Sequence, residues 1–177
     1  MKNILIAYTS WTGSTKEIAD HIAQSLNKTG MSTTVVSATE AIELHPFDLI
    51  IVGTSIHAGR TTASFKRFLS KYESTLSQKQ VAFFVSCANM MNDTDETRAE
   101  TFSWLEKTTR KFQSIKPISI GLFGGATITS GEAFQKLNIF IQRIILAMEK
   151  KMVDEYGKTD FRDWEKIESW AFEIAAK

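Results

Sequence analysis

The sequence has little of what staples or metallates a small protein. One cysteine, Cys87, in 177 residues excludes an internal disulfide and a cysteine-built zinc cluster. Three scattered histidines, His21, His45 and His57, give no basis for a histidine-built metal site, so no metal is expected. Excess charge is missing too. The net charge of +1 produces no field to draw nucleic acid, and aromatic and basic residues do not interleave as on an RNA-binding face. Nucleic acid is therefore set aside as a partner. No segment has low-complexity composition, and nothing repeats at a solenoid period. The apolar run within Met1–Trp11 is shorter than a signal-peptide core and lacks a cleavage pattern. It reads as a buried strand, and a cytoplasmic protein is expected.

What is present is a core. Hydrophobic residues make up 43% and charged residues 23% of the chain, the proportions of a globular protein, at a length that suits one domain, residues 1–177. Apolar runs of strand length, Ile4–Tyr8, Thr34–Ser37, Leu49–Gly53, Val81–Ser86 and Ile118–Phe123, alternate with helical patterns. Four of the five runs are nearly continuous rather than alternating, as in strands covered on both faces. Stripes at helical spacing lie between and after them: Ile18, Ile22, Ala23 and Leu26; Phe65, Phe68, Leu69 and Tyr72; Phe102, Leu105, Thr109 and Phe112; and Trp164, Ile167, Ala171 and Ile174. The connection Ala38–Asp48 has room for a short helix at most. This pattern predicts an α/β fold with a doubly wound, five-stranded parallel sheet and helices on both faces. A ligand is then expected beyond the carboxyl ends of the strands, where the strand order reverses.

Strand one runs into Thr9-Ser10-Trp11-Thr12-Gly13-Ser14-Thr15, and a helix follows at once. Hydroxyls at Ser10, Thr12, Ser14 and Thr15 crowd this turn, and Gly13 lets the backbone approach a ligand. Backbone N–H groups at a helix start, with the helix dipole, bind anions. The loop has no lysine or arginine, so a phosphate there would be held by neutral donors. The plainer alternative is a Ser/Thr-rich helix cap, but a cap needs one such residue and this loop has four. Neither a Gly-Lys-Ser/Thr ending nor a G-x-G-x-x-G fingerprint is present, which argues against a P-loop nucleotide site and a Rossmann NAD site.

The loop Ser10-Trp11-Thr12-Gly13-Ser14-Thr15 resembles the hallmark Ser/Thr-x-Thr-Gly-x-Thr loop of flavodoxins, and the likeness extends over essentially the whole chain. The resemblance implies strand order 2-1-3-4-5 and flavin mononucleotide (FMN) as cofactor. It places the phosphate on Ser10, Thr12, Gly13, Ser14 and Thr15, with Trp11 beside them. The flavin ring would lie between Thr54, Ser55, Ile56, His57, Ala58 and Gly59 after strand three and Cys87, Ala88, Asn89 and Met90 after strand four. Within the superfamily, the sequence is most similar to the flavodoxin-like, quinone-linked protoporphyrinogen IX dehydrogenases of haem synthesis. Three stretches carry this: Gly53–Arg60 with Ser64-Phe65, a long insertion at about 124–158 after the last strand, and the segment Thr159–Glu165. The stretch Met90–Thr97 lacks that family's basic cluster, and Gly125–Glu132 is rich in Gly, Thr and Ser where the family has Arg and Tyr. The implied function is an FMN-dependent oxidoreductase with a quinone as electron acceptor. The alternatives are a flavodoxin-type electron carrier serving a redox partner protein, another flavodoxin-like quinone reductase, or a non-catalytic module that has kept the fold.

Balanced charge and the scarcity of aromatics in loops two and three argue against a carrier that docks through an acidic face. The insertion segment Ala133–Val153 reads as one helix with a stripe of Phe134, Leu137, Ile141, Ile144, Ile145, Met148 and Met152, widened by Ile139, Phe140, Leu146 and Ala147. Lys136, Arg143, Lys150 and Lys151 flank it, and it is too charged to span a bilayer. Packing on its own domain, a homodimer contact and peripheral contact with the inner face of the cell membrane all remain open. His57, the candidate catalytic residue, is read either as a proton donor or flavin neighbour or as an exposed loop residue. Arg60 and Arg67 read first as surface residues, second as contacts for substrate carboxylates. Cys87 reads as a small apolar residue. Asp93 and Asp95 read as cap and first-turn acids of the helix after strand four, and Trp104, Trp164 and Trp170 as core.

Overall fold

Each apolar run becomes a strand of a single sheet in the computed structural model, which describes residues 2–177. The parallel strands are β1 (Asn3–Thr9), β2 (Ser32–Ser37), β3 (Leu49–His57), β5 (Gln80–Cys87) and β6 (Pro117–Gly124). They lie in the order β2-β1-β3-β5-β6, the doubly wound arrangement expected from the sequence. A two-residue strand that sequence reasoning missed, β4 (Arg60–Thr61), folds back antiparallel on the end of β3. In β3 every residue from Leu49 to Ile56 is buried, because helices cover both faces of the sheet.

One face packs beneath α2 (Ala63–Leu76) and α3 (Asp95–Thr109), with Leu5, Ile50, Val52, Phe65, Phe83 and Leu105 in its core. The other packs beneath α1 (Ser14–Lys28) and α6 (Trp164–Ala175), with Ile4, Ile18, Ile22, Phe84, Trp170 and Ile174. Caps fix where these helices begin. The Thr62 side chain accepts the Phe65 amide, Thr94 and Thr97 form a reciprocal capping box, and Asp163 accepts the Lys166 amide. Each satisfies donors that a first helical turn leaves unpaired.

Three local expectations need correction. Thr94 rather than Asp93 caps α3; the Asp93 carboxylate instead pairs with Arg98 and with Lys166, joining α3 to α6. In α3 the buried positions are Thr101 and Leu105, and Phe102 is exposed, because the 3.6-residue arc centres one residue before the expected stripe. The insertion is not one helix. It breaks into α4 (Gly131–Gln135) and α5 (Ile139–Tyr156), since Asn138 leaves the helical conformation and its side chain accepts the Ile141 amide as a new N-cap. The connection Ala38–Asp48 forms turns without a helix. Trp170 is buried, whereas Trp104 and Trp164 are half-buried. No helix among the described residues is long and apolar enough to cross a membrane.

The insertion returns to the sheet beside the first helix. Ala126 bridges Asp160, and the Arg162 guanidinium, nearly enclosed, pairs with Asp160 and with Glu17 of α1, 2.6 Å each. Gly124 sits where this segment crosses: a β-carbon there would fall onto the carbonyl oxygen of Phe161. Only a residue without a side chain permits that approach.

Candidate functional site

At the carboxyl ends of β1, β3 and β5 the chain leaves the sheet in three loops, and a cleft of about 510 Å³ opens among them. The first loop turns through Gly13, whose φ of 106° lies in the left-handed region that suits glycine. The Ser10 hydroxyl accepts the Gly13 amide at 3.0 Å, and α1 starts at the next residue. The Ser14 hydroxyl accepts the Ala126 amide from the loop after β6, which ties the two sides of the cleft together. Thr15 is fully buried and lines the cleft, and its hydroxyl oxygen has no hydrogen-bond partner. A buried hydroxyl without a partner costs about 1–3 kcal/mol. An orphaned donor at the start of a helix, in a wall of neutral hydroxyls, fits a phosphate group, because an anion there would satisfy it.

The sequence-predicted residues divide cleanly. Ser10, Trp11, Thr12, Ser14 and Thr15, then Ser55, Ile56, His57, Ala58 and Gly59, then Cys87, Ala88 and Asn89 all line the cleft. Gly13, Thr54 and Met90 are not among the lining residues. Thr54 is buried in a chain of hydroxyls: its oxygen accepts the Thr62 amide, and Thr62 in turn donates to Thr9 at 2.7 Å. That chain locks the end of β1 to the start of α2. Met90 belongs to the core beneath α2 and α3, because Ala88–Met91 coil into a 3₁₀ turn that points it inward. The Asn89 amide faces the cleft wall but donates to Glu100, Thr101 and the Thr97 carbonyl, so it anchors α3.

His57 stacks face to face on Trp11, ring centroids 4.0 Å apart and planes 13° from parallel. Its Nε2 is 2.9 Å from the Ser55 hydroxyl. Burial pushes its pKa down to about 4, since a low-dielectric surrounding penalises the imidazolium. The ring is therefore neutral near pH 7, which favours its reading as a stacking group over that of a proton donor. Burial likewise pushes the Cys87 thiol up and keeps it protonated.

The contribution that sequence reasoning missed comes from the other side. Trp104 of α3, Gly125–Thr127 and a row of α5 side chains (Ile141, Ile144, Ile145, Met148 and Met152) complete the cleft. Part of the broad apolar arc of the insertion thus covers the site itself. No Asp, Glu, Lys or Arg lines it. The helix is held in place by Thr129 donating to Glu149 and by Met152 against Thr127.

A flavodoxin domain model matches residues 5–161. The chain belongs to the flavodoxin domain family. Among curated relatives of this flavodoxin-domain protein is the protoporphyrinogen IX dehydrogenase (quinone) of Escherichia coli K12. It is 26% identical, with the alignment covering 97% of this chain and 93% of the relative. Among solved structures, flavodoxin 2 from Bacillus cereus superposes with a TM-score of 0.58 at 21% identity, covering 98% of each chain. A flavoprotein from Lactobacillus acidophilus, solved in complex with FMN, gives a TM-score of 0.51 at 18% identity over 69% of this chain and 93% of the other.

Proposed function

We propose that this protein is an FMN-dependent oxidoreductase that oxidises a largely apolar organic substrate, protoporphyrinogen IX by analogy with its E. coli relative, and passes the electrons to a quinone. The observation that carries this reading is the joining of two unlike surfaces in one cleft. A neutral, hydroxyl-rich loop with an orphaned Thr15 donor lies across from an apolar wall supplied by α5. FMN, when bound, supplies reversible acceptance of two electrons.

The protein's own residues do the rest. Ser10, Thr12, Thr15 and the amides at the start of α1 would hold the phosphate. Ile56, His57 and Ala58 on one side and Cys87 and Ala88 on the other would flank the ring. Ile144 and Met148, which both line the cleft and reach the surface, give an apolar molecule a way in and keep water away from the reacting atoms. Neutral His57 stacks and orients; it does not contribute charge. An electron carrier needs only an exposed ring edge, and the Trp11–His57 stack is the kind of aromatic cover a carrier uses, so this is the second reading.

The deciding experiment is anaerobic oxidation of protoporphyrinogen IX by the FMN-loaded protein with a menaquinone analogue, followed by porphyrin fluorescence. Quinone-dependent turnover that vanishes without FMN is the expected result. Bound FMN without turnover would favour the carrier or another quinone reductase.

The same reading gives the outer face of α5 a partner. Phe140 is 73% exposed, and Ile139, Leu146 and Val153 are exposed with it, beside Arg143, Lys150 and Lys151. An interfacial surface of this kind suits peripheral contact with the inner face of the membrane, where quinones dissolve. Phe140→Asp/Leu146→Asp should abolish flotation with anionic liposomes. Loss of a dimer in the same variant would assign the surface to self-association instead.

A further inference from the structure

A second hollow of about 470 Å³ adjoins the cleft, and its lining is more polar than its neighbour's. The two share one wall, made of Ser10, Trp11, His57 and Ala58. Beyond that wall the lining gains hydroxyls from Tyr8, Ser37, Thr39, Thr61 and Ser64 and one charged side chain, Arg60. No carboxylate lines it. The Arg60 guanidinium forms no salt bridge or side-chain hydrogen bond among the described residues, whereas Arg67 nearby is bonded to Ser64. Arg60 is held in place through its backbone, by the β3–β4 pairing of His57 with Arg60.

We propose that this hollow is a carboxylate subsite: it receives the acidic arm of a ligand whose apolar body lies in the main cleft, with Arg60 as its anchor. The inference rests on the oxidoreductase reading for the nature of that ligand, but the subsite itself does not. Three observations converge. The main cleft has no charged lining, so a carboxylate on its occupant finds no counter-ion there. The one charged side chain of the hollow, exposed Arg60, sits on the far side of a shared wall whose crest is open, since Trp11 is 40% exposed and Ala58 is also exposed. A guanidinium offers a carboxylate paired N–H donors in one plane, and the Tyr8 hydroxyl lines the same hollow.

The test compares acids with neutral counterparts that differ only in the carboxylate. Affinities are measured by fluorescence titration near neutral pH and at low salt, on the protein as isolated and after loading with FMN. The pairs are protoporphyrin IX with its dimethyl ester, and naphthalene carboxylate with its carboxamide. Each acid is expected to bind about five- to tenfold more tightly than its neutral counterpart, the range of a partly screened guanidinium–carboxylate contact. Arg60→Gln should remove the preference without changing affinity for the neutral ligands, Arg60→Lys should keep part of it, and added salt should shrink it. Equal affinities in the unaltered protein, or a preference that survives in Arg60→Gln, would overturn the proposal. An Arg60-dependent preference for the naphthalene acid, with neither porphyrin bound, would uphold the subsite and overturn the porphyrinogen reading.

Discussion

Replacing Thr15 by valine separates what the phosphate loop does for folding from what it does for binding. The two side chains are close in volume, and Thr15 is fully enclosed, so the exchange deletes one hydroxyl and fills its place with a methyl. In the ligand-free protein that hydroxyl has no partner. Removing it should return about 1–3 kcal/mol of stability, which for a protein of this size raises the melting temperature by about 2–4 °C per kcal/mol. FMN binding should move the other way. Loss of one hydrogen bond to a charged phosphate is worth about 1.5–3 kcal/mol, or about 10- to 150-fold in affinity. The assay is calorimetric melting of the apoprotein together with FMN titration by flavin fluorescence. A Thr12→Val control, at a half-buried position in the same loop, should weaken FMN without stabilising the apoprotein. A Thr15→Val protein that melts lower and binds FMN unchanged would refute the argument, since the hydroxyl would then serve the fold.

Other perturbations follow from the same geometry. Because burial lowers the His57 pKa from 6.5 to about 4, the unfolded chain binds more protons than the folded one between those values. Stability from this group is therefore present above pH 6.5 and lost as pH falls towards 4, and His57→Gln should flatten the melting-temperature profile across that window. Gly124→Ala would drive a methyl onto the Phe161 carbonyl. It should cost about 1–3 kcal/mol or more in urea denaturation, with faster proteolysis of the segment around Asp160. Arg162→Met would leave Glu17 and Asp160 without their shared cation. A loss of about 1–2 kcal/mol is expected, since both carboxylates are half exposed and can be rehydrated, and high salt should narrow the difference from the unaltered protein.

Much of the fold was legible in the chain because the signals are local. Continuous apolar runs spaced by helical stripes require buried parallel strands, and the five runs became the five parallel strands in the expected order. Their ends shifted by one to several residues, most of all in β3, which continues through Thr54–His57. That extension was hidden because polar Thr54 and Ser55 look like loop residues until the partners of their hydroxyls are known. The break in the insertion was readable in principle, since Asn138 is a strong N-cap type, but the apolar arc on either side of it masked the signal.

The sequence by itself determined the alternation of buried parallel strands with helices and the hydroxyl loop at the start of α1, both of which depend on residue type and spacing within about thirty positions. The strand order, and with it the switch point, followed from the resemblance to flavodoxins rather than from any local pattern. Only the tertiary structure decided which side chains share the cleft. Thr54 and Met90 turned inward because the start of α2 and the core beneath α2 and α3 claimed them. Trp11 met His57, and Ile144 and Met148 came to line the same cleft as the loop of Ser10–Thr15, through packing between segments far apart in sequence. The ties that hold the segments flanking the insertion to α1, from Ala126 to Ser14 and from Arg162 to Glu17, join residues more than a hundred positions apart, and no local pattern encodes such a contact.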